Sequence, residues 1–178
     1  MATYDVVLLV EQALSDQDAR QVRSLHDELE DPVVYHVLVP VDDAAARIEA
    51  SMGTLGGSEL LGNPTLGMQE VDVEAVREDA EERSNADLEA TLAALRAAGG
   101  TAEGKVVEND PIEALKLEVA SVDGREAIIL TRSHVVAEFF HLDWTSRARR
   151  KIGVPILHLL EHESFDEQAG GGEGVSGL

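Results

Sequence analysis

Two periods alternate along the chain. Tyr4–Val10 is an apolar run, the pattern of a strand buried on both faces. Residues 18–29 then place Ala19, Val22, Leu25 and Leu29 on one helical stripe, with Ser15 or Asp16 as cap and Asp31-Pro32 as the stop. "YHVLVPV", Tyr35–Val41, reads as a second strand. "DDAAARIEASM" follows as a short helix capped by Asp42 or Asp43. A long helix is predicted over Val73–Ala98, acidic outside, with Leu88, Leu92 and Leu95 turned inward and Gly99-Gly100 ending it. Thr101–Glu108 alternates loosely, as an edge strand does. Asp110 caps the next helix, with Pro111 at its first position and Ile112, Leu115, Val119 and Val122 as its buried stripe. Ala127–Leu130 is a fourth strand, a helix over Ala137–Ile152 is stopped by Gly153, and Val154–Leu160 is the fifth strand.

The order is β-α-β-α-β-α-β-α-β. Right-handed crossovers turn that order into an α/β fold, a three-layer α/β/α sandwich around a five-stranded parallel sheet. Residues 1–162 make one domain, with a loop and helix insertion over residues 42–72 after the second strand and a flexible acidic and glycine-rich tail over residues 163–178. Within the insertion, Gly53–Gly67 carries five glycines and also Leu55, Leu60, Leu61 and Leu66. Such a loop packs on its own domain or serves as a lid or contact surface. The sequence shows no internal repeat.

Composition narrows the partners. The 178 residues hold 35 acidic and 14 basic side chains, a net charge of −21. That field repels phosphate backbones and anionic membranes, so neither nucleic acid nor membrane is an expected partner. It fits high solubility, a salt-adapted source or a docking surface for a basic partner. The absence of cysteine excludes a disulfide framework, a thiolate metal site and a thiol nucleophile. "MATYDVVLLV" enters directly into a strand, and no apolar run approaches the roughly 20 residues that span a bilayer. A cytoplasmic protein is expected.

The stretch Val106–Leu160 contains two β-α steps and a closing strand. Three of its segments, "VVENDPIEAL", "AIILTRS" and "IGVPILHLL", are similar in order and spacing to those of the universal stress protein family. The resemblance spans nearly all of residues 4–160 and implies the strand order 3-2-1-4-5. It also implies a regulatory or stress-response role and an ATP or AMP site at the carboxyl ends of the strands. Asn109 stands where the family usually has glycine. ATP-binding members carry G-x2-G-x9-G-[S/T] after the fourth strand, where glycines let backbone N–H groups close on phosphate at a helix N-terminus. Here no glycine occurs from Thr131 to Ile152, and the first two glycine positions fall at His134 and Ala137. The nearest counterpart of the last pair is Trp144-Thr145 or Thr145-Ser146. The cradle is therefore absent or rebuilt. Glu11 stands for the family's adenine-side aspartate, and the base-contacting region after the second strand falls near Val39–Val41.

Ser133, His134, Thr145, Ser146 and Arg147 are the candidate anion-binding side chains, with Glu11 and Val39 on the nucleotide side. Ser133 equally suits a helix cap, and the others ordinary polar surface. Arg147, Arg149, Arg150 and Lys151 form a basic cluster that complements a helix C-terminus or makes an anion or acidic-partner patch. His134 and His141 share a helix face near Asp143, but no metal-binding spacing is present and no metal is expected. His36 reads as a satisfied core or rim histidine. Phe139, Phe140 and Trp144 suit core packing or an aromatic wall beside a ligand. No G-x-S-x-G elbow, P-loop or dinucleotide fingerprint occurs, and nothing assembles an acid, a base and an oxyanion site.

The last strand would be an apolar edge. In the resembled family it pairs with its own copy across a two-fold axis. The resemblance thus implies a homodimer through Val154, Ile156, Leu157, His158, Leu159 and Leu160. Two functional versions follow. Either a degenerate pocket leaves a regulatory protein that acts through contacts at Gly53–Gly67 or Arg147–Lys151, or a rebuilt pocket takes an adenine nucleotide or another small anion. The missing glycines favour the first. A nucleotide-processing enzyme on the same fold is a third class.

Overall fold

The computed structural model describes residues 3–41, 73–108, 110–131 and 152–160. Five parallel strands form one sheet: β1 Tyr4–Val10, β2 Val33–Pro40, β3 Thr101–Val107, β4 Glu126–Thr131 and β5 Ile156–Leu160. Their order is β3-β2-β1-β4-β5. Three described helices connect them: α1 Asp16–Ser24, α2 Val73–Ala97 and α3 Pro111–Ser121.

β1 is central because it can bury both faces. Val6, Leu8 and Val10 join a core with Ala19 and Val22 of α1 and Leu88, Leu92 and Leu95 of α2. Val7 and Leu9 point the other way, into a second core with Leu115 and Val119 of α3. Alternation along one strand thus feeds both layers. β3 lies at the edge, as its looser pattern implies. Its Gly104 is required by packing: a Cβ there would lie 2.5 Å from the Val37 carbonyl oxygen and 2.9 Å from Leu88 Cδ1.

Element bounds differ most from the sequence reading at α1, β2 and β5, and β4 extends one residue further at each end, over Glu126–Thr131. Helix α1 ends at Ser24 rather than Leu29, and Leu25 and Leu29 are exposed instead of joining the stripe. The cause is His26, whose buried ring bonds to Tyr35 and Glu126 and draws the chain out of the helix through turns closed by His26 N–H to Arg23 O and Leu29 N–H to His26 O. Strand β2 runs two residues earlier at its start because Val33 and Val34 pair with Tyr4 and Asp5. Strand β5 starts at Ile156, the residue that opens the register with Ala127. Gly153, at φ 80°, precedes it.

The helix expected after β2, the Gly53–Gly67 loop, the body of the Ala137–Ile152 helix and the tail lie outside the described residues. No described helix is long and apolar enough to cross a membrane.

Candidate functional site

The strand order reverses between β1 and β4, and a doubly wound sheet opens a crevice at the carboxyl ends of such a pair. Val10 pairs with Leu130, so the next residues along, Glu11 and Thr131, flank the mouth of that crevice. Both are half-buried.

The loop leaving β1 is fixed at two points. The Leu14 N–H donates to Thr91 Oγ1 of α2 at 3.1 Å, a contact 77 residues apart in sequence. One residue later Ser15 caps α1: its Oγ accepts from the Asp18 N–H, and the Asp18 carboxylate accepts from the Ser15 N–H at 3.2 Å and from its hydroxyl at 2.6 Å. This capping box closes in both directions, and Asp18 is buried by it. The end of β2 is tied to α2, where Ser84 Oγ donates to the Pro40 carbonyl at 3.1 Å, and Val41 N–H extends the ladder to Val107 O. Asp110 then accepts from the Ile112 and Glu113 N–H groups at 3.0 and 2.9 Å and starts α3. The carboxyl ends of β1 and β2 and the start of α3 are thus each held by named hydrogen bonds.

At the β4 corner Thr131 Oγ1 lies 2.8 Å from His158 Nε2 of β5. Burial pushes the His158 imidazole below its ordinary value. Ile129, its partner in register, is buried in the second core.

The candidate residues divide accordingly. Glu11 stands at the crevice mouth. Val39 is 1 % exposed and packs with Val10 and Leu130 in the first core, so its side chain belongs to the floor beneath the rim. Ser133, His134, Thr145, Ser146 and Arg147 lie outside the described residues, as do His141, Asp143 and the rest of the basic cluster. Along β5, Ile156 and Leu159 are buried in the protein's own two cores, His158 and Leu160 are half-buried, and Leu157 is exposed; Val154, before the strand, is half-buried. Among the described residues no three His, Asp or Glu side chains are placed to hold a metal ion.

A polar network at the opposite, amino-terminal edge has no counterpart in any sequence motif. His26 Nδ1 lies 2.9 Å from the Tyr35 hydroxyl and its Nε2 lies 2.5 Å from Glu126 Oε1. His36 sits between Asp5, at 2.8 Å from Nε2, and Glu103, at 3.0 Å from Nδ1. His36 is thus the satisfied histidine its alternation suggests. Burial pushes the Tyr35 phenol up to about 12 and raises that of Tyr4. Burial would also raise the Asp5 carboxyl, but hydrogen bonds from Thr3 and His36 outweigh it and hold the group below its ordinary value. The one available signal was a histidine or acid at the start of each inner strand. Only strand register brings these residues together.

No protein-family model and no curated protein sequence matches the chain. Solved structures do match the fold. Hypothetical protein MJ0577 aligns with a TM-score of 0.55 at 12% identity, covering 92% of this chain and 100% of that one. A universal stress protein family protein from Burkholderia pseudomallei aligns at 0.51 and 15% identity, over 89% of this chain and 98% of its own. A universal stress protein family protein from Arabidopsis thaliana, with AMP bound, aligns at 0.50 and 12% identity, over 92% and 94%. The chain therefore has the universal stress protein fold, with the strand order 3-2-1-4-5 that the resemblance implies.

Proposed function

We propose that the protein is a homodimeric, non-catalytic binding protein of universal-stress type, whose carboxyl-end crevice takes an adenine nucleotide or a related small anion. The observation that supports this reading most is the placement of Glu11 and Thr131 across the strand-order reversal, on a rim whose loops are anchored by Thr91, Ser15 and Asp110. Such a rim presents groups in fixed positions, which lowers the ordering cost of binding. The AMP-bound Arabidopsis protein shows that this fold accommodates an adenine nucleotide. In this reading side chains replace the glycine-framed loop: Ser133, His134, Thr145, Ser146 and Arg147 supply the donors, and Glu11 lies on the adenine side. The protein acts by occupancy rather than turnover, in stress response or regulation. It dimerises through β5, which lies at the sheet edge with Leu157 exposed.

Equilibrium dialysis with ATP and AMP tests the crevice. Saturable binding of one nucleotide per chain, weakened in His134→Ala and Thr145→Val, is the expected result. Folded dimer that takes up neither nucleotide contradicts it. That outcome would favour a second reading, a vestigial pocket with partner contacts through Gly53–Gly67 or Arg147–Lys151. The glycine-free stretch from Thr131 to Ile152 supports that second reading.

A further inference from the structure

Thr131 ends β4 at the crevice mouth, and His158 stands on β5 in register with Ile129, two residues behind it. The His158 Nε2 lies 2.8 Å from Thr131 Oγ1. Ile129, its partner in register, and Ile156, two residues before it in β5, are buried in the second core. Burial lowers the imidazole below its ordinary value, which keeps the ring neutral at pH 7. A neutral imidazole carries a single N–H. Either the Thr131 hydroxyl donates to Nε2, or Nε2–H donates to the hydroxyl. The two arrangements give Thr131 opposite capacities. In the first its only proton is used, and it offers lone pairs that repel an anionic oxygen. In the second its O–H remains available to a ligand.

We propose that His158, through Nε2–H, is a positioning residue that sets Thr131 as a hydrogen-bond donor to an anionic, phosphate-type oxygen at the carboxyl end of β4. The inference rests on reading the crevice as an anion site. It gives the chain a side-chain hydroxyl near where the resembled family's glycine motif would place backbone N–H groups. Its requirement is a tautomer: Nε2 protonated in the complex.

The test uses the full chain and isothermal titration calorimetry with ATP and, separately, inorganic pyrophosphate. The variants are Thr131→Val, His158→Leu, His158→Gln and the Thr131→Val/His158→Leu double. Glutamine places an amide N–H near the position of Nε2. Thr131→Val and His158→Leu should each weaken binding about tenfold. His158→Gln should stay within about threefold, and the double variant should bind no worse than Thr131→Val, because the two residues act as one unit. A purely structural role for His158 would not produce that rescue and non-additivity. Long-range ¹⁵N spectra of the ATP complex should show His158 protonated at Nε2. Wild-type binding with His158→Leu unchanged, additive losses, or a proton on Nδ1 in the complex each overturns the inference and leaves the anion site standing. Wild-type protein that binds neither ligand overturns both. If His158→Leu fails to fold, the glutamine variant and the tautomer decide.

Discussion

His26 and Tyr35 share a 2.9 Å hydrogen bond beneath the amino-terminal edge of the sheet, with both side chains buried. The ring of His26 also meets Tyr35 edge-on, with centroids 5.5 Å apart. This pair joins the turn after α1 to β2, and Glu126 on the far side of the ring joins both to β4. His26 Nδ1 also lies 3.2 Å from the Val22 carbonyl oxygen, so loss of the Tyr35 hydroxyl removes one of two contacts at that nitrogen. Tyr35→Phe should destabilise the fold by about 1–2 kcal/mol and His26→Ala by more, since it also opens a cavity. Urea denaturation followed by circular dichroism measures both.

The Tyr35 phenol provides a pH signature. Burial raises its pKa to about 12, above the ordinary phenol value of about 10, so the fold favours the neutral phenol. The associated stability is fully present below pH 10 and is lost as pH rises toward 12. Spectrophotometric titration at the phenolate band should show a phenol ionising near pH 12 that Tyr35→Phe removes. Tyr35→Phe should flatten the loss of stability over that window.

Asp5 has the opposite sign. Against burial, hydrogen bonds from Thr3 and His36 hold it below the ordinary carboxyl value, so its contribution is present above that ordinary value and fades as pH falls below it. Asp5→Asn should lower the melting temperature at pH 7 and have a smaller effect at pH 3. A scan of melting temperature against pH for the two proteins checks this.

Gly104 has the closest backbone approach of any described glycine: a Cβ there would lie 2.5 Å from the Val37 carbonyl oxygen. Because the obstacle is backbone, a rotamer change cannot relieve it. Gly104→Ala should cost about 1–3 kcal/mol by forcing β3 away from β2. Gly99→Ala should also destabilise, for a different reason, because φ there is 87°. Chemical denaturation of the two variants, with hydrogen exchange of β3, separates a packing shift from local strain.

The proposed dimer turns on β5. Leu157→Asp places a charge on the exposed side of the strand and leaves the buried Ile156 and Leu159 untouched. Sedimentation at micromolar concentration should show wild-type dimer and variant monomer. A wild-type monomer, or a variant that still associates, removes this interface.

The sheet was legible because its strands are nearly pure pattern. Val6–Val10 alternate into two cores without interruption, and the Asp110-Pro111 pair marks a helix start that the structure reproduces at the same residues. Strand order was not legible from periodicity, which is blind to neighbours, and came from the family resemblance instead. The end of α1 was misread because Leu25 and Leu29 keep the helical spacing after the backbone has left the helix. The competing force is tertiary, the bonds of His26 to residues 9 and 100 positions away. The same limit hid the Thr131–His158 pair. His158 was placed at the strand edge by its position in β5, but its partner was set by register across 27 residues.

Native mass spectrometry of freshly purified protein, followed by denaturation and identification of any released small molecule, tests the central claim most directly. The account predicts a dimer that carries, or takes up from added ATP or AMP, one adenine nucleotide per chain. A dimer that stays empty under saturating nucleotide would contradict it.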